Sequence, residues 1–194
     1  NEVISNFIGT DASGIVPLGD DSTIVVGLPY NRIGGTRPGE GNVINGRVVI
    51  FGTSDVIVIG NSIGVDATEK KAFPLSTWFI SLGAGAYHNF IGGTTDTERN
   101  VIAGGKDSVL INLSSIADYN FSAGNYLGTD ASGTVVFPNF AGISLEMAEH
   151  NAIQGNLIVG SQAFGVSLSS LDLNQIGANF NWVRANRITK NKVG

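Results

Sequence analysis

The chain has 194 residues, a formal net charge of −5, 14% charged residues, 42% hydrophobic residues and no cysteine. This balance is too apolar for a disordered chain, and no run reaches the ~20 apolar residues of a membrane-crossing helix. Disulfides and thiolate metal sites are excluded, and no Lys/Arg cluster is present to displace counterions from nucleic-acid phosphates.

In chain order, the first element is Asn1-Glu2-Val3, followed by Asn6-Phe7-Ile8-Gly9-Thr10-Asp11-Ala12-Ser13-Gly14. The second stretch returns almost unchanged at Asn125-Tyr126-Leu127-Gly128-Thr129-Asp130-Ala131-Ser132-Gly133, and more loosely at Asn61-Ser62-Ile63-Gly64-Val65-Asp66-Ala67-Thr68. A motif that recurs at a regular interval builds by stacking one unit on the next. Each unit has three parts. The first reads Asn-x-apolar at Asn1/Val3, Asn31/Ile33, Asn89/Ile91, Asn151/Ile153 and Asn174/Ile176, with Val56/Val58 lacking the Asn and Asn120/Ser122 lacking the apolar residue. The second is Asn-x-Ile or Asn-x-Leu at Asn6, Asn42, Asn61, Asn100, Asn125, Asn156 and Asn186. The third is an alternating apolar pair: Ile24/Val26, Val48/Ile50, Ile80/Leu82, Val109/Ile111, Ile143/Leu145 and Val166/Leu168.

Short β-branched alternating runs between Gly, Asn, Asp and Ser predict strands and turns, and no long window carries helical periodicity. Three strands per unit predict an all-β chain: a parallel β-helix, or β-solenoid, of about seven coils. The coils are expected to start near residues 1, 31, 56, 89, 120, 151 and 174 of a single 1–194 segment. The first residues already lie mid-pattern, so we expect a piece of a longer repeat protein.

Long loops alternate between corners. Coils one, three and five carry long second loops at 9–22, 64–77 and 128–141, and coils two and four carry long first loops beginning Gly34-Gly35-Thr36 and Gly92-Gly93-Thr94. Skipping a coil gives each bulge about two strand spacings of room. The apolar residues Val16-Pro17-Leu18, Phe73-Pro74-Leu75 and Phe137-Pro138 are expected to fold back over a neighbouring coil.

The units Asn89-Phe90-Ile91-Gly92-Gly93-Thr94, Arg99-Asn100-Val101-Ile102-Ala103-Gly104 and Gly124-Asn125-Tyr126-Leu127-Gly128-Thr129-Asp130 resemble repeats of bacterial right-handed parallel β-helix proteins, in the pectate-lyase-like superfamily. The resemblance spans essentially the whole chain. It implies the right-handed coil and an extracellular or bacterial cell-surface location. The superfamily includes polysaccharide lyases, hydrolases, epimerases, tailspikes and adhesins, so the shared motif speaks for fold more than for function.

Four groups of residues could carry chemistry. The recurrent Asn is expected to form a ladder, amide on amide, at a turn. Asp11, Asp66 and Asp130 are two coils apart, ~9–10 Å by strand spacing, which is too far for one shared calcium ion; capping of their own turns is expected instead. Asp20-Asp21 reads as a solvated turn, since the other signatures of a polygalacturonase-type site are missing. The residues that close the coils, Tyr30, His88, Tyr119 and His150, then Leu173, are expected to stack along one edge. That row either binds sugar through rings and polar tips or stiffens a corner. No catalytic residue, metal site or cofactor is predicted.

The expected function is a stiff structural or adhesive segment of a surface protein or filament, without catalysis. The alternative is a polysaccharide-binding or polysaccharide-cleaving β-helix; as an enzyme it would be a carbohydrate-active lyase or glycoside hydrolase. Expected partners are flanking repeats or other copies, end to end, and a polysaccharide; neither nucleic acid nor membrane insertion is expected.

Overall fold

The computed structural model of the chain describes residues 1–19, 22–74, 78–170 and 178–192. Strands recur in the predicted three-part order, and no helix occurs among the described residues. They form three sheets, two of seven strands and one of six, and every pairing between neighbours is parallel. Each of the first six coils visits each sheet once, and the seventh contributes a strand to two of them among the described residues, so the chain is a parallel β-solenoid of about seven coils.

The register explains the period-two apolar pattern. In the first sheet Val3, Ile33, Val58, Ile91, Ser122, Ile153 and Val183 stack in one inward row. In the second the row is Ile8, Ile44, Ile63, Ile102, Leu127, Ile158 and Ile188. Its middle five members are fully buried. Burying each such side chain contributes roughly 1.5–3 kcal/mol. Ser122 interrupts its row without cost to hydrogen bonding, because its Oγ accepts from Asn125 Nδ2 at 3.3 Å.

The third sheet has longer strands: Ser22–Val26, Gly46–Phe51, Trp78–Gly83, Val109–Ser114, Asn139–Glu146 and Ser161–Ser169. Here the predicted pair in coil four shifts by one alternation. Ile111 and Leu113, not Val109 and Ile111, align with Ile80 and Leu82, and Val109 lies beside Trp78. A slip of two residues preserves which side chains face inward, so alternation alone cannot set the register. Successive residues are both buried at Phe79–Ile80 and Leu110–Ile111.

The seventh coil begins later than predicted. Its first strand is Trp182–Arg184, opened by Asn181 and paired with Ala152–Gln154. Asn174 and Ile176 lie outside the described residues. Both stretches fit Asn-x-apolar; the five-residue step from Asn181 to Asn186, matching Asn151 to Asn156, is the one the stack uses.

The recurrent Asn side chains form the predicted ladder. In the second-corner ladder each Nδ2 donates to the next Oδ1, from Asn6 through Asn42, Asn61, Asn100, Asn125 and Asn156 to Asn186, at 2.9–3.0 Å. The same oxygens accept the backbone N–H of the preceding ladder Asn. Buried turn amides are thereby satisfied without water. A first-corner ladder links the side chains of Asn89, Asn120 and Asn151, and is continued by the Asn151 backbone N–H, which donates to Asn181 Oδ1. A shorter third one, Asn139–Ser161–Asn191, was not legible because Ser161 breaks the residue pattern.

Each long second loop is a small hairpin finger, closed by antiparallel bridges between Thr10 and Pro17, Val65 and Ala72, and Thr129 and Val136. The fingers of coils one and three touch, Ala67 N–H donating to Gly14 C=O at 2.9 Å. Phe73 is buried in the main core, and Phe137 packs against the cluster of Val65, Val101 and Ala103. Val16 and Leu18 do not fold back: they are exposed. Leu75 lies outside the described residues.

Candidate functional site: a ring ladder at one corner

The first corner differs from the second in what precedes the ladder Asn. At the second corner Gly60, Gly124 and Gly155 take left-handed φ just before Asn61, Asn125 and Asn156. At the first corner the same backbone state falls on Tyr30, Asp55, His88, Tyr119, His150 and Phe180, with φ of 52–59°. Non-glycine residues pay ~1–2 kcal/mol for this conformation. The buried Asn ladder inside and the ring row outside are therefore consecutive residues: His88-Asn89, Tyr119-Asn120, His150-Asn151 and Phe180-Asn181. The Asn ladder sets the spacing at which the rings meet.

The rings use that spacing. Tyr119 and His150 stack at 4.7 Å between centroids with planes 3° apart, and His150 and Phe180 at 5.1 Å and 7°. Both separations are close to the ~4.8 Å strand repeat. His88 meets Tyr119 edge-on at 5.8 Å, and Tyr87 meets His88 at 5.2 Å. Of the predicted row, His88, Tyr119 and His150 are brought together. Tyr30 stands apart, because Asp55 occupies the intervening position in coil three. Leu173 lies outside the described residues, and Phe180, which the sequence reading missed, continues the row. The signal for it was the Asn181-to-Asn186 spacing.

This geometry fixes what the corner offers. Both faces of His150 are covered by neighbouring rings, and one face of Tyr119 is covered by His150. The ring edges and polar tips, the Tyr119 hydroxyl and the imidazole nitrogens, remain outward. Beside the row a shallow cleft of about 490 Å³ is lined by Gly85, Tyr87, His88, Ile116, Asp118 and Tyr119. A second, of about 510 Å³ and bordered by Ala84, Ser115 and Met147, shares Gly85 and Ile116 with the first. Ile116 is 62% exposed and has φ of 63°, and Ser115 before it has φ of 53°. A β-branched residue in the left-handed region is an outlier.

The carboxylates of the motifs are committed to turns. Asp11 accepts from Ser13 Oγ and from the N–H groups of Ile15 and Val16, and Asp130 accepts from Ser132 Oγ and the N–H groups of Thr134 and Val135. Asp66 accepts from Thr68 and Lys70 in the finger of coil three. Glu98 folds back onto Thr94 and Thr95 in the Gly-Gly-Thr loop. Asp20 and Asp21 lie outside the described residues. Among the described residues no group of three His, Cys, Asp or Glu is placed to hold a metal ion.

These turns carry a pH signature. The Ser13 hydroxyl and the Val16 N–H lower the pKa of Asp11 below its ordinary 3.8. Burial pushes Asp130 up, but the Ser132 hydroxyl and the N–H groups of Val135 and Thr134 outweigh it and the net shift is down. The N–H and hydroxyl of Thr95 lower Glu98 below 4.5. Groups with depressed folded values lend stability that is complete above the unfolded pKa and is lost as pH falls through the folded one. Carboxyl-resolved NMR titration is expected to place Asp11 and Asp130 below 3.8 and Glu98 below 4.5. Titration at or above those values would show that these turns are open in solution.

Comparison with protein-family models, curated proteins and solved structures returns no match for this chain.

Proposed function

We propose that the chain is a stiff β-solenoid segment of an extracellular surface protein or filament, which holds a corner surface at a set place along a rod. The observation that supports this most is the Asn ladder, hydrogen-bonded from Asn6 to Asn186 and buried from Asn42 to Asn156. Bending the rod would stretch that ladder and three parallel sheets together, and buried polar groups are costly to leave unpaired. The surface location rests on the resemblance of the repeats to bacterial β-helix proteins.

The second reading, a polysaccharide-binding or polysaccharide-cleaving solenoid, is favoured by the ring edges and polar tips beside an open cleft. It is weakened by the way the rings cover one another's faces, because sugar stacking needs a free face.

One experiment separates the two. Small-angle scattering and electron microscopy on the native-length protein are run beside a screen for binding and cleavage of acidic and neutral polysaccharides. A rigid rod whose described coils contribute ~34 Å, from seven strand spacings, without new chain ends in any polysaccharide supports the structural reading. Turnover of a polysaccharide would overturn it.

A further inference from the structure

We infer that the notch between the fingers of coils three and five is a binding site for a single-ring aromatic carboxylate, its ring held between two prolines and its carboxylate on Lys106. This goes beyond the spacer reading and does not depend on it.

The notch exists because fingers grow from alternate coils. Coil four has only the short stretch Ala103-Gly104-Gly105-Lys106-Asp107 in that place. The fingers on either side of it therefore stand two coils apart, ~9–10 Å by strand spacing. The fingers of coils one and three bridge the same distance with the Ala67-to-Gly14 hydrogen bond. Among the described residues no backbone hydrogen bond joins the fingers of coils three and five. A cleft of about 250 Å³ lies there instead, with Pro74 on one side, Phe137 and Pro138 on the other, and Gly104 and Lys106 between. Gly104 stays without a side chain because a Cβ would lie 2.2 Å from the Phe79 ring.

The molecule's own spacing selects a ring. Tyr119 and Phe180 are also two coils apart, and the gap between them takes one ring, His150, at 4.7 and 5.1 Å. Pro74 and Pro138 hold equivalent places, each two residues past the closing bridge of its finger, Val65–Ala72 or Thr129–Val136. One ring fits between them in the same way, at the level of coil four. A cleft smaller than drug-sized pockets has room for one ring and not for a run of sugars.

Charge selects an acid. Lys106 lines the cleft at that middle level, and its ammonium has no carboxylate partner among the described residues. Asp107, next in the chain, does not line the cleft. The stretch is tied down from coil six, where Gln162 Nε2 donates to the Lys106 C=O at 3.4 Å. Apolar walls with one convergent charged group make a small-ligand site, and a charge-assisted hydrogen bond orients what enters it.

The test is titration of the isotope-labelled native-length protein with benzoate and, separately, with benzamide, followed through its backbone amides by NMR. Saturable shifts centred on Gly104, Gly105 and Lys106, with benzoate bound at least about ten-fold more tightly than benzamide, support the proposal. Lys106→Gln is expected to remove that preference, and Pro138→Ala to weaken both ligands. Amides away from the cleft report whether each variant keeps its fold; Lys106 is exposed, so its substitution leaves them unmoved. A benzoate titration that does not saturate in the millimolar range overturns the proposal. So do equal affinity for benzamide, a preference that survives Lys106→Gln, and shifts centred on another part of the chain.

Discussion

Asn100→Ala is expected to destabilise the chain by about 2–4 kcal/mol, far more than Asn6→Ala at one end of the same ladder. Asn100 is fully buried. Its Nδ2 donates to Val58 C=O at 2.8 Å and to Asn125 Oδ1 at 3.0 Å, and its Oδ1 accepts the Asn61 backbone N–H and side-chain amide, both at 3.0 Å. Alanine leaves the Asn61 N–H without this acceptor, in a place water does not reach. Each buried donor or acceptor left unpaired costs ~1–3 kcal/mol. For a chain of this length the midpoint of thermal unfolding is expected to fall by roughly 10 °C. Asn6 is exposed, so water replaces its lost partners and about 1 kcal/mol or less is expected. Urea unfolding of both variants measures the difference. Equal effects would mean that the ladder is solvated along its length and is not the source of stiffness.

The second large effect is expected at Phe79→Ala, about 3–5 kcal/mol. Phe79 is fully buried and fills space that two glycines on neighbouring coils leave open. A Cβ on Gly104 would lie 2.2 Å from a ring carbon of Phe79, and one on Gly64 would lie 2.5 Å away. Gly64 has a further constraint: its φ is 73°, and its Cβ would stand 2.0 Å from Ala103 C=O. Gly104→Ala overpacks the same place and is expected to cost ~1–3 kcal/mol. The two changes meet one another, so the double variant Phe79→Ala/Gly104→Ala is expected to be more stable than the sum of the singles implies. Strict additivity in the unfolding free energies would show that the ring does not occupy the space between the glycines.

Both effects start from features visible in the sequence, but to different degrees. Asn100 belongs to a pattern that any reader can count, since turn chemistry asks for the same amide in every coil. The partnership of Phe79 with Gly104 is invisible in sequence: it joins residues of different coils through the inside of a corner. The ring row lies between these cases. His88, Tyr119 and His150 were legible because each directly precedes a ladder Asn. Phe180 was obscured by a competing Asn-x-Ile at Asn174, and Tyr30 was grouped with rings it does not touch, because the pattern did not show that Asp55 intervenes.

The sequence by itself determined the parallel solenoid, the three strands of each coil, the second-corner Asn ladder and the alternation of long loops. These follow from local rules repeated at short range: turn residues, β-branched alternation and the room a bulge needs. Only the tertiary structure decided the third-strand register in coil four, the start of coil seven, which fingers bury their apolar residues, and the left-handed corner that carries Ile116. Those depend on which coil lies above which. Alternation is unchanged by a slip of two residues, and a side chain is buried only where a neighbouring coil stands ready to cover it.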